Sequence, residues 1–217
     1  AFRILGEGQL SLTKFLLITD AAIDLRNFRM VLEHVLARAD FRSDLYIFGH
    51  LSMDTLDYTG PTVNLGSKGV LLGVGDALRD LPREFTGDPP PGVKNVQVFC
   101  GGCLVVDGPS YNSSADFGTL LAQIESLATW PLVVLVDDVS ATCLSTESFL
   151  WTTFTRFEPA ADIKSQQQRV EKNHVMHYRP IVIDARMKPW YPDEVTCYPD
   201  VAKKASARWR EYFPEGF

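Results

Sequence analysis

Two short apolar runs, each closed by aspartate, set the strongest limit on what this chain can fold into. "KFLLITD" (Lys14–Asp20) and "PLVVLVDD" (Pro131–Asp138) are continuously hydrophobic, the pattern of a strand covered on both faces. Behind the first run, Phe28, Val31, Leu32, Val35 and Leu36 repeat at helical spacing, with Asp24 as a candidate N-cap. "DLYIFG" (Asp44–Gly49) then reads as the next strand, giving a βαβ unit. A shift of 138 − 20 = 118 positions lays Asp20 on Asp138, Leu32 on Leu150, Arg38 on Arg156 and Asp44 on Asp162 without a gap. Identities are sparse, and chance likeness between two generic βαβ units is the competing reading. The alignment of strand on strand and stripe on stripe favours a diverged duplication, with two α/β halves sharing one sheet or packed as a pair.

The remaining segments extend this plan. "GVLLGVG" (Gly69–Gly75) reads as a third strand and "DPPPG" (Asp88–Gly92) as a break. "VQVFCGGCLVVDG" (Val96–Gly108) reads as two strands folded back at a Gly-Gly turn, because glycine supplies the positive φ of a tight hairpin. Phe117, Leu120, Leu121, Ile124 and Leu127 mark a helix from Ser114, and another is expected from Ser145 to Phe157. Lys164 to Asn173 is polar and expected to be exposed, "PIVIDA" (Pro180–Ala185) is a late strand, and Pro199 opens a closing helix. The predicted fold is α/β, a mixed sheet with flanking helices and two diverged βαβ-containing halves. Residues 1–12 read as the end of a helix or linker, 13–110 as the first half and 111–217 as the second, or the two together as one continuous domain. "AFRILGEGQ" opens without methionine and like the tail of a helix, so a piece of a longer polypeptide is expected.

A net charge of −6 disfavours a nucleic-acid or anionic-membrane surface, which needs a concentrated basic face. Lys203, Lys204, Arg208 and Arg210 gather near the end, where they solvate a helix face and complement its dipole. No apolar run reaches the roughly 18 residues of a membrane span. Four cysteines do not form a disulfide framework in a chain of this size, which points to a reducing cytoplasm. Cys100 and Cys103 form a CxxC, but beside a Gly-Gly turn they read as small residues rather than a redox or metal motif. His174 and His177 would share a face only on a helix, and no carboxylate is spaced to join them. "SLTK" (Ser11–Lys14) lacks the partner motifs of a serine acyl-enzyme, and "GVGD" lacks the third glycine of a dinucleotide fingerprint. Asp20 and the Asp137-Asp138 pair close buried strands, where α/β sheets place ligands, although capping of the next helix explains them equally well.

Taken together, "SLTKFLLITD", "IDLRNFRMVLEHVLARADFRSDLYIFGH" and the loop "LSMDTLDYTGPTVNLGSKG" (Leu51–Gly69) resemble the C-terminal domain of UbiD-type decarboxylases, most closely the longer branch tied to menaquinone synthesis. "FLWTTFTRFEPAAD" and "IVIDARMKPWYPDE" repeat the pattern in the second half. The resemblance implies a reversible, non-oxidative decarboxylation of aromatic or α,β-unsaturated acids with prenylated FMN, whose phosphate is held by Mn2+ and K+. It implies that the proton-handling trio and the metal ligands lie in an N-terminal flavin-binding domain whose motifs this chain does not match. Lys14 would then approach the cofactor phosphate, while Ser52, Met53, Asp54 and Leu56 would line the substrate pocket. The chain alone would be inactive, soluble and cytoplasmic, and would form homo-oligomers once joined to that domain. Two other readings stand beside it: an oligomerisation module using Trp209, Tyr212 and Phe213, and a stand-alone enzyme using the strand-end aspartates.

Overall fold

In a computed structural model, which describes residues 1–195 and 197–215, the two apolar runs become strands of two separate sheets. A short helix α1 (Phe2–Gly6) and a 3-10 turn lead into β1 (Phe15–Thr19), α2 (Phe28–Arg38), β2 (Leu45–Ser52) and β3 (Leu65–Gly73). The hairpin β4 (Val96–Cys100) and β5 (Cys103–Asp107) comes next, then α3 (Phe117–Leu121), β6 (Leu132–Val136), α4 (Val139–Thr142) and α5 (Thr146–Thr155). The chain continues through α6 (Pro159–Asp162), β7 (Ile163–Glu171) and β8 (His174–Asp184) to α7 (Pro199–Ala207) and α8 (Trp209–Tyr212). One sheet has the order β1-β3-β2 and the other β4-β5-β6-β8-β7.

The same unit occurs in both sheets. In each, the first and third strands run parallel, and the second strand lies outside the third and antiparallel to it. Neither half is therefore the plain βαβ unit expected from the sequence: β1 and β2 are antiparallel, separated by β3. The division at residue 110 also cuts through a sheet, because β5 pairs in parallel with β6. The 118-residue shift nevertheless holds in detail. It carries α2 onto α5, β2 onto β7, and the cap Asn27 onto the cap Ser145. Both caps accept from the amide three residues on, at 3.2 Å and 3.1 Å, so Asn27 and not Asp24 starts the first helix. Asp44 and Asp162 coincide as well, each accepting from the amide four residues back, Asp40 N at 2.8 Å and Glu158 N at 2.7 Å.

The shift fails at α4 and α6, whose counterparts 21–24 and 41–44 are not helical, and beyond β2 and β7. A twelve-residue loop (residues 53–64) joins β2 to β3, whereas β7 and β8 meet at Lys172-Asn173, both at positive φ as a two-residue hairpin turn requires. Of the stretch expected to be exposed, Gln166 to Asn173 is so while Ser165 is buried, and the whole is mostly strand, because an edge strand needs only one paired side. The main core lies between the sheets, where Val35, Leu36, Phe41 and Leu71 meet Phe99, Val134, Phe149 and Ile183. A Cβ at Gly73 would lie 2.4 Å from the Val35 Cα, so glycine there sets how closely α2 rests on β3. The outer face of the larger sheet packs on α3 and Trp130.

Candidate functional site

The loop between β2 and β3 organises itself before it meets anything else. Asp54 Oδ1 accepts the Leu56 amide at 2.9 Å, and Asp57 Oδ1 accepts both the Thr59 amide at 3.0 Å and its hydroxyl at 2.6 Å. Thr55 Oγ1 donates to Asn64 Oδ1 at 2.9 Å. These are local side-chain closures of the kind Asp and Thr favour in turns. The two carboxylates are thus spent on the loop's own backbone and hydroxyl, while two apolar side chains are left outward: Leu56 is 84% exposed and Val63 73%. Of the four residues expected to line a pocket, Ser52 ends β2 on the surface, Met53 is buried against Gly66, Asp54 holds the turn and Leu56 is the exposed tip. None of the four lines the cavity at Arg42 or the groove at Asp137.

Lys14 ties this loop to the second repeat. Its ammonium lies 2.8 Å from Asp57 Oδ2 and donates to Thr59 Oγ1 at 3.1 Å, Phe154 O at 3.0 Å and Phe157 O at 3.1 Å. The two carbonyls lie at the C-terminal end of α5, where unpaired acceptors and the negative dipole end suit a cation. Burial lowers the Lys14 pKa from its ordinary value, and Asp57 opposes that shift. Its donors thus face four acceptors inside the chain, where the resemblance places Lys14 at a cofactor phosphate.

A second lysine completes the same helix end. Lys188 Nζ donates to Arg156 O at 2.9 Å and Asp184 O at 3.1 Å and lies 3.1 Å from Asp162 Oδ2, with its side chain 2% exposed. Burial raises the Asp162 pKa, with Lys188 as the main opposing influence. Tyr191 donates to Arg156 O at 3.3 Å, and the edge of its ring meets Tyr58 of the loop at 5.0 Å. Next to it Arg186, fully buried, grips Asp184 through Nε at 2.9 Å and Nη2 at 2.6 Å and donates to the carbonyls of Pro109 and Ser114. Sequence reasoning missed Lys188 and Arg186, and reached Asp162 only as the echo of Asp44. The available signal was "DARMK", three charges directly behind a buried strand.

Of the strand-end aspartates, Asp137 and Asp138 face a groove of about 960 Å³ walled by Tyr58, Trp151, Arg156 and Glu194, while Asp20 accepts from the Gly75 amide at 2.8 Å. Asp138 caps α4 through Ala141 N at 2.9 Å, and Asp137 accepts from Met187 N at 2.7 Å and from Arg156 at 3.3 Å. Both carboxylates serve the backbone, which favours capping over catalysis. Cys100 and Cys103 pair across the hairpin and are buried, and burial raises the thiol pKa of Cys103 and takes that of Cys143 up to about 11. His177 is buried beside Ser165 Oγ at 3.3 Å, while His174 meets Arg42 O at 2.8 Å on a strand rather than a helix. Among the described residues no three His, Cys, Asp or Glu side chains gather as a metal site, and no helix is long and apolar enough to cross a membrane.

Fold and loop together define a two-repeat α/β module with a self-braced, apolar-tipped loop. Residues 1–73, a third of the chain, match the family model of the 3-octaprenyl-4-hydroxybenzoate carboxy-lyase C-terminal domain, which marks that stretch as similar to UbiD-type C-terminal domains. An uncharacterised protein of Chlamydia muridarum is 49% identical over 214 residues, 98% of this chain and 36% of that protein. A Chlamydia pneumoniae protein whose name makes it a subunit of a 4-hydroxybenzoate decarboxylase is 45% identical over 214 residues, 99% of this chain and 36% of its own length. The chain thus spans about a third of the curated relatives it matches. The vanillic acid decarboxylase of Sedimentibacter hydroxybenzoicus in its open form is similar at a TM-score of 0.33 and 16% identity, over 57% of this chain and 30% of that one.

Proposed function

We propose that this chain is the C-terminal part of a UbiD-type carboxy-lyase acting on an aromatic or unsaturated carboxylic acid, in quinone biosynthesis of the menaquinone type. One observation carries the proposal: the loop satisfies its Asp54 and Asp57 carboxylates within itself and presents Leu56 and Val63 to the outside. Such a tip suits a wall of an apolar pocket completed by the region that the longer relatives possess in addition. In this reading the substrate-facing groups are Leu56 and, behind it, Ser52 and Asp54, with Met53 as packing.

Prenylated FMN, with Mn2+ and K+ at its phosphate, is assigned to that additional region and would serve there as the electron sink. The described residues do not fit a phosphate or metal cradle at the loop, because Lys14 is fully engaged and no donor set gathers. No chemical step is assigned to them. Their part is to hold the loop, exclude water at its tip and keep the pocket wall in place.

The test is Leu56→Asp in the longer polypeptide. With an exposed tip the melting temperature should stay put, while KM for the acid rises about tenfold, the order expected from setting a charge against an apolar ligand. Unchanged kinetics would remove the loop from the pocket. The chain alone should neither retain flavin nor release CO2, and a yellow, active preparation would overturn the assignment. A second reading, in which the module mainly builds oligomers, draws on α7, which buries none of its residues, and on Tyr212, 53% exposed. Trp209→Ala should then shift the subunit number in analytical ultracentrifugation.

A further inference from the structure

A pocket of about 460 Å³ lies where the α2–β2 turn of the first repeat meets β8 of the second, and Arg42, Arg79 and Arg179 line it. Arg79 donates one Nη1 hydrogen bond to Leu36 O, at the end of α2, and rests over the Phe41 ring at 5.8 Å. Arg179 is exposed and has no hydrogen-bond or ion-pair partner among the described residues. Arg42 is neutralised by a forked pair with Asp40, at 2.6 Å and 2.9 Å. The charged groups around the cavity are thus three guanidiniums against Asp40 and the neighbouring Asp44, with the buried His177 at the back. Burial, and after it the Arg179 charge, lowers the Arg79 pKa, in keeping with two cations set near each other.

The second repeat shows what is missing. There the cation arriving after the third strand, Lys188, also caps the end of its helix but is closed off by Asp162 at 3.1 Å. In the first repeat the matching acid, Asp44, turns to the Asp40 amide and to Ser43, and Arg79 makes no ion pair among the described residues. We infer that this corner is a binding site for the phosphate group of a small phosphorylated ligand, gripped between Arg79 and Arg179. Planar guanidiniums offer paired N–H donors that match phosphate oxygens. The ester's apolar portion lies against Leu78, which is on the pocket rim and 59% exposed.

The experiment is calorimetric titration of this chain with inorganic phosphate and with phenyl phosphate, at constant ionic strength set by chloride. Saturable one-to-one binding is expected for both, tighter for the ester. Arg179→Gln, a surface change that leaves folding intact, should weaken it at least about tenfold, the order of one charge-assisted hydrogen-bond pair. Arg179→Lys should recover part of the affinity, and Arg210→Gln should bind as the unaltered chain does. Heat no greater than the chloride control, or equal affinity in Arg179→Gln, would overturn the site.

Discussion

The two repeats begin alike and end differently. Each has a capped helix, an aspartate that closes the turn beyond it, and a cation placed on the helix's last carbonyls. In the second repeat that corner is sealed: Lys188 and Asp162 are 2% and 7% exposed at the side chain, and Lys14 enters from the first repeat to finish it. In the first repeat the corner stays open to solvent and keeps uncompensated arginines. One template has thus been used as an internal strut and as a surface cavity. The difference lies in the connection after the second strand: a two-residue turn in one case, a twelve-residue loop that needs an anchor in the other.

The largest test of this contrast is Asp162→Ala, which strands Lys188 and removes a charge near Lys14. A cost of about 3–5 kcal/mol is expected by denaturant unfolding, because a buried cation is left without its counter-ion. The positional counterpart Arg79→Met should cost under about 1 kcal/mol, since an exposed corner rehydrates. Equal costs would erase the distinction between strut and cavity. Lys14→Met comes next, with about 2–3 kcal/mol lost through unpaired acceptors at the α5 end. Hydrogen exchange should quicken across residues 53–64 first. Were that loop to stay protected, its anchor would lie elsewhere.

Acid should separate the repeats by a smaller amount. Burial lowers the His177 pKa from the ordinary 6.5, so the unfolded chain takes up the proton first. Stability should fall as pH drops through that ordinary value and level off below the folded one, while His177→Gln flattens the profile. The smallest effect is symmetric: Asn27→Ala and Ser145→Ala should each cost about 1 kcal/mol, and a clear inequality would show that the caps are not equivalent.

Much of this was legible in the chain. The buried runs, the helix stripe and the 118-residue offset located α2, α5, β2 and β7, because periodicity and caps are local properties. Asp44 and Asp162 were even paired, without their shared role being visible. The strand order was not legible. "KFLLITD", its helix and "DLYIFG" read as βαβ, with the first run covered on both faces, yet β1 is a half-buried edge strand and it is β3, buried along almost its whole length, that takes the central place between the two.

Sequence by itself determined the α/β class, the repeated segments, the hairpin at Gly101-Gly102 and a loop rich in turn-forming residues. Only the tertiary structure decided what the charges do. Lys14, placed by resemblance at a cofactor phosphate, is a largely buried brace inside the chain, while Arg79 and Arg179 drew no notice and came together at a cavity. Propensity acts between neighbours along the chain, whereas the fate of a charge depends on which distant carbonyls and carboxylates the fold brings within about 3 Å of it.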